Sequence, residues 1–161
     1  MTTKELETEL RRLQLVLLLE SPSLNSGGCG IFAKHFYERV NIPNAQKRIL
    51  YLGRNKRILE DKLESIKTNN TSYNWATSHV LVAITIKRKT LYVDGHETYR
   101  KLSAAKDEFS CNAHVEVPIH LLKRAVKKKE DWNDSFRRSS SESAVKEIIV
   151  KWVTSLNTTT K

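Results

Sequence analysis

The chain has 161 residues, of which 39% are hydrophobic and 29% charged, a length and balance that suit one hydrophobic core and exclude wholesale disorder. Lysine and arginine number 28 against 18 aspartate and glutamate, a formal net charge of +10, which favours anionic partners without naming one. The densest apolar stretch, residues 13–19, is broken by Gln14 and falls short of the roughly 20 residues that cross a bilayer, so no membrane span is expected.

Thr2 followed by Glu5 reads as a capping box, and residues 2–20 are rich in strong helix formers, which predicts a first helix. Its charges, Glu5, Glu7, Glu9, Arg11 and Arg12, come before the apolar stretch, the wrong pattern for a secretion signal. A cytoplasmic, reducing setting is therefore expected, in which Cys29 and Cys111 stay thiols. Pro22 and the Gly27-Gly28 pair break the helix. Ile31, Phe32, Phe36 and Val40 then recur at helical spacing, predicting a second helix with Cys29 at or beside its first turn.

Over residues 45–67 the positions Ile49, Leu50, Ile58, Leu59, Leu63 and Ile66 keep a helical period, predicting one broken helix or two short ones with an interruption at Gly53. Residues 68–77 read as a polar turn. The β-branched run at residues 79–86 and the shorter run at residues 90–94 predict an antiparallel hairpin with a basic tip at Lys87, Arg88 and Lys89. Residues 111–117 are predicted as a third strand and residues 119–129, after Pro118, as a helix. Residues 131–143 are read as a polar connection and residues 144–156 as the last helix. Trp75, Trp132 and Trp152 are expected in the core. The whole, residues 1–161, is expected to form one α+β domain.

Two cysteines and five histidines without a C-x-x-C or H-x-x-x-H pair suggest no metal site, and no glycine-rich phosphate loop points to a cofactor. Chemistry instead centres on Cys29. A thiol at a helix N-terminus meets unpaired N–H groups and the positive end of the helix dipole, which favour its nucleophilic thiolate. Glycines on both sides, Gly28 and Gly30, permit a sharp turn and close approach of a substrate backbone. Such a nucleophile needs a base, and His79 opens the predicted hairpin; a carboxylate that fixes the imidazole completes the set, and Asp94 ends the second strand.

Strand parity bears on that pairing. A hairpin loop with an even number of residues puts His79 and Asp94 on the same sheet face. A loop centred between Ile86 and Lys87 sets them directly opposite. A tip at residues 87–90 instead sets Asp94 opposite Ala83, roughly 13 Å along the strand from His79, and then His96 lies nearer. The sequence leaves both registers open.

Residues 25–33, with Asn25, Gly28, Cys29 and Gly30, followed by Ser78-His79-Val80-Leu81-Val82 and Leu91-Tyr92-Val93-Asp94, resemble the papain-like thiol hydrolases, and within them the compact NlpC-like branch. The resemblance spans residues 25–96, with residues 29–96 as the catalytic core. It implies a papain-like fold, N-terminal helices packed on a small antiparallel sheet, and a peptidase or amidase that cuts an amide or isopeptide bond in a peptide or protein through an acyl-thioester. It also implies Cys29 as nucleophile, His79 as base and acid, Asp94 as third member, and Asn25 with Gly28 and the Cys29 N–H around the oxyanion. The alternative is a non-enzymatic basic module that binds nucleic acid or an acidic protein surface through Lys87, Arg88, Lys89, Lys127, Lys128 and Lys129.

Overall fold

The computed structural model describes residues 1–69, 79–128 and 141–159. Helix α1 (Thr3–Glu20) starts at the expected capping box: the Thr2 N–H donates to Glu5 Oε2 at 2.7 Å, and the Glu5 N–H donates to Thr2 Oγ1 at 3.2 Å. It buries Leu6, Leu10, Leu13 and Leu17 on one stripe, each worth roughly 2 kcal/mol of apolar burial. A short 3-10 turn (Leu24–Ser26) then delivers the chain to helix α2 (Cys29–Arg39), of which Cys29 is the first residue.

The expectation for residues 45–67 is corrected. Residues Ala45–Gly53 are strand β1, and only Lys56–Thr68 form a helix, α3. The Asn55 side chain caps α3, accepting from the Arg57 and Ile58 N–H groups. The physical reason is that β1 is central: it pairs antiparallel with β2 (His79–Ile86) on one side and β5 (Ala113–Val117) on the other. Its last five residues are buried on both faces, so Ile49, Leu50, Tyr51 and Leu52 form a continuous apolar run in which helix and strand periods are indistinguishable.

The hairpin forms as expected, β2 pairing with β3 (Lys89–Val93) through a two-residue turn. Lys87 and Arg88 both take positive φ, 45° and 70°, the backbone of the tight turn that matches strand twist. Two elements escape the sequence reading: β4 (Thr98–Tyr99), paired with β3, and α4 (Leu102–Glu108). Helices α5 (Ile119–Lys127) and α6 (Glu142–Thr159) complete the order. Trp75, Trp132, Lys129 and nearly all of the proposed connection at 131–143 lie outside the described residues.

The result is α+β, with a five-stranded antiparallel sheet in the order β4-β3-β2-β1-β5. One sheet face, with Tyr51, Val80, Val82, Ile84, Val93 and Val115, packs into the same core as Leu10 of α1, Phe36 of α2, Leu122 of α5 and Ile149 of α6. The other, with Leu50, Leu52, Leu81 and Ala83, is covered by Ala105 of α4 and by Cys111 and Phe109. Helix α6 is tied to the rest by Trp152, whose Nε1 donates to Glu9 O at 3.0 Å, and by Glu142, which accepts from Lys34 Nζ and lies against His35 Nε2, both at 2.7 Å. No helix among the described residues is long and apolar enough to cross a membrane.

Candidate active site

Helix α2 lies against β2, and the first residues of those two elements are Cys29 and His79. All three residues of interest are buried: Cys29 is 8% exposed, His79 and Asp94 0%. His79 Nε2 lies 2.9 Å from Asp94 Oδ2. The β2–β3 register pairs Val82 with Val93, so Asp94 falls level with Leu81, two residues from His79. That is neither of the two registers considered from sequence but an intermediate one. Parity holds, because the turn has two residues, and a two-residue diagonal is short enough for the side chains to meet.

After Val93 the chain leaves the ladder through a turn that Asp94 organises. Its Oδ1 accepts from the N–H groups of His96 and Glu97, both at 2.8 Å, and from Asn25 Nδ2 at 2.8 Å. Its own N–H donates to Glu97 O at 3.0 Å. Oδ1 thus serves the turn while Oδ2 faces the imidazole. His96 contributes its backbone to Asp94 and sets its ring nitrogen Nε2 3.2 Å from Ser21 O, so the residue that meets His79 is Asp94. Gly95 is demanded by a close approach: a Cβ there would stand 2.3 Å from Leu24 Cδ2, far inside contact distance.

The electrostatics follow from this enclosure. Burial pushes the His79 imidazole down, but the charge of Cys29 and the hydrogen bonds of Asp94 and Cys29 outweigh it and hold the pKa up at about 9. Burial likewise works to raise the Asp94 carboxyl, yet His79, Asn25 and the His96 N–H keep it below the usual carboxylate range. At neutral pH the pair is imidazolium and carboxylate. The other ring nitrogen, Nδ1, is buried and makes no hydrogen bond of ordinary geometry. Cys29 therefore acts on the imidazole as an electrostatic neighbour that favours its protonated form, with Nδ1 left free of a partner; catalytic hydrogen bonds of this kind form when a substrate is bound.

Around the sulfur, no side chain caps α2, which leaves its first-turn N–H groups without that partner. The Gly28 N–H is used: it donates to Leu24 O at 2.7 Å. What Gly28 brings is a buried position without a side chain directly before Cys29. Asn25, expected near the oxyanion, has one amide hydrogen on Asp94 Oδ1, so the bond it holds is behind the imidazole.

Three residues of the site were given no part in it from the sequence. Phe109, at the end of α4, stacks on the His79 ring with centroids 3.5 Å apart and planes at 15°. Gln14 of α1 donates from Nε2 to Asp94 O at 3.1 Å and to Thr98 Oγ1 at 3.0 Å. Gln14 carries a signal that was readable, a lone amide on an otherwise leucine stripe; Phe109 and Thr98 carry none. Among the described residues no group of three His, Cys, Asp or Glu side chains gathers as a metal site requires. No protein-family model, no curated protein and no solved structure matches this chain.

Proposed function

We propose that this chain is a papain-like cysteine hydrolase of the NlpC-like kind, a peptidase or amidase working in the cytoplasm on an amide or isopeptide bond. Cys29 Sγ attacks the carbonyl carbon, and the leaving amine takes the proton held by His79, giving an acyl-thioester. Water, deprotonated by His79, then attacks the thioester and returns the thiol. Asp94 holds the ring through Nε2, so that Nδ1 is the nitrogen left for the sulfur and the leaving group. The Cys29 N–H, with the second amide hydrogen of Asn25, would receive the oxyanion, and the missing side chain at Gly28 gives the substrate backbone room.

The observation that supports this most is the fully buried His79–Asp94 pair, 2.9 Å apart, at the start of β2, with Cys29 opening the helix packed on that strand; these neighbours raise the His79 pKa despite its burial. A buried histidine with no task is kept neutral by desolvation. Here a thiol on one side and a carboxylate on the other keep the charge, and an imidazolium in that position favours the ionised sulfur. The test is alkylation by iodoacetamide followed by peptide mass mapping. Cys29 should react at neutral pH far faster than Cys111, whose Sγ donates to Phe109 O at 3.3 Å, and His79→Ala should slow it by roughly tenfold or more. Equal, slow labelling of both thiols, unchanged by His79→Ala, would sink the reading.

The basic-module reading is favoured by one feature, the exposed tip Lys87, Arg88 and Lys89 at the far end of the hairpin, with Lys127 and Lys128 exposed at the end of α5. It requires binding of nucleic acid or of an acidic protein surface that falls steeply with added salt and does not depend on Cys29.

A further inference from the structure

We propose that Gln14 is a positioning residue of the site: through the main chain of Asp94 it sets the carboxylate that holds His79. The inference rests on the hydrolase reading and names a part of its machinery that lies outside the region of family resemblance.

A side-chain amide in a helix stripe otherwise made of Leu6, Leu10, Leu13 and Leu17 is costly to bury unless it is paired. Gln14 is 5% exposed, and both ends of its amide are engaged. Nε2 donates to Asp94 O and Thr98 Oγ1, and Oε1 accepts from Thr98 Oγ1 at 3.3 Å. Each partner is at least 80 positions away in the chain, so these bonds do not serve α1 itself. They clamp the turn between β3 and β4 from outside.

That clamp matters because of how Asp94 is held. Its side-chain Oδ1 and its N–H are bound mainly within its own turn, to His96 and Glu97. A turn bonded largely to itself moves as a unit and carries its carboxylate with it. The turn is held from outside by Ser21 O against the His96 ring and by Leu24 against Gly95, but Asp94 itself is held there by Asn25 on the side chain and Gln14 on the carbonyl. Thr98 opens β4 and pairs with Val93 in the β3–β4 ladder, so Gln14 spans the turn from Asp94 to the first residue of the next strand. A displacement of about 1 Å is enough to turn a 2.9 Å contact into no hydrogen bond. The leucine packing of α1 is thereby converted into a fixed distance at the imidazole.

The experiment is an NMR titration of His79 in protein with labelled histidine, alongside alkylation of Cys29. Gln14→Met keeps the side chain's length and removes its hydrogen bonds. The His79 pKa should fall from about 9 by roughly one pH unit, and Cys29 alkylation at pH 7 should slow by roughly three- to tenfold. Thr98→Val, which keeps shape and removes the anchor of the same amide, should give a smaller change in the same direction and decides the matter if Gln14→Met does not fold. If the folded variants lose melting temperature while His79 titrates as in the wild type, Gln14 is core filling and the inference is overturned. That result is separate from failure of the hydrolase reading, in which alkylation ignores His79→Ala whatever stands at position 14.

Discussion

Asp94 reaches His79 on a diagonal: the two sit two residues out of step in the β2–β3 ladder, yet Oδ2 and Nε2 are 2.9 Å apart. The offset has a use. A carboxylate directly opposite the imidazole would be part of the ladder, whereas one step beyond Val93 it is free to close a turn with Oδ1 while presenting Oδ2 to the ring. One side chain ends the strand and fixes the imidazole.

Asp94→Asn separates those two tasks. The asparagine oxygen can still accept the His96 and Glu97 N–H groups, so the turn survives, but an NH2 replaces the oxygen that faces Nε2. Burial then acts on His79 with one fewer opposing charge, and its pKa should drop well below about 9. Cys29 alkylation at neutral pH, and hydrolysis once a substrate is found, should fall by roughly 100-fold or more. Histidine NMR and iodoacetamide kinetics read the two effects; an unchanged rate would remove Asp94 from the machinery.

The same couplings set a pH dependence of stability. His79 is raised from an ordinary 6.5 to about 9, so its contribution is fully present below pH 6.5 and is lost as pH rises through 9. The amount is on the order of 3 kcal/mol. Asp94 is lowered from 3.8, so its contribution is present above that value and is lost as pH falls through the depressed one. Urea unfolding should therefore show a midpoint that declines from pH 7 to pH 10. Cys29→Ala removes the largest favourable influence on the imidazole and should move that decline to lower pH; a decline unmoved by the substitution would mean that sulfur and ring do not interact.

Much of this was readable from residue types. Thr2 and Glu5 announced the start of α1, and Gly28 and Cys29 the start of α2; that an even loop would put His79 and Asp94 on one face was readable, but the two-residue turn at Lys87 and Arg88 and its register were not. Strand β1 was not readable, because a strand buried on both faces loses the alternation that would reveal it. The bonds of Asn25 and Gln14 to Asp94 were obscured for another reason: they reach a residue 69 and 80 positions away, a separation that no local pattern reveals.

Gly95→Ala tests the contact between the Asp94 turn and the approach to α2. The new methyl would stand 2.3 Å from Leu24 Cδ2 and 3.0 Å from Cγ, and Leu24 is fully buried. Relief requires the 3-10 turn and the strand end to separate, at roughly 1–3 kcal/mol, which loosens the Asn25–Asp94 bond. A lowered melting temperature together with slower Cys29 alkylation is expected. Loss of stability alone would show that the two segments can part without disturbing the imidazole.

Phe109→Ala removes the ring stacked on His79. Phe109 and Asp94 now keep water from the Nε2 proton, so in the wild type that proton should give an observable, slowly exchanging NMR signal at neutral pH. The variant should lose the signal to exchange and lose roughly 2 kcal/mol of stability. Persistence of the signal would mean that the stacked ring does not shield the pair.

The reverse turn at Lys87 and Arg88 begins eight residues from His79, at the far end of β2 and roughly 27 Å away. Yet its length is the gauge by which the hairpin was cut. One more residue there would invert every side chain of one strand relative to the other, sending the carboxylate to the opposite surface of the sheet while leaving both strands able to pair. Two exposed cations in an unfavoured backbone shape thus keep the count for the buried pair at the other end of the hairpin.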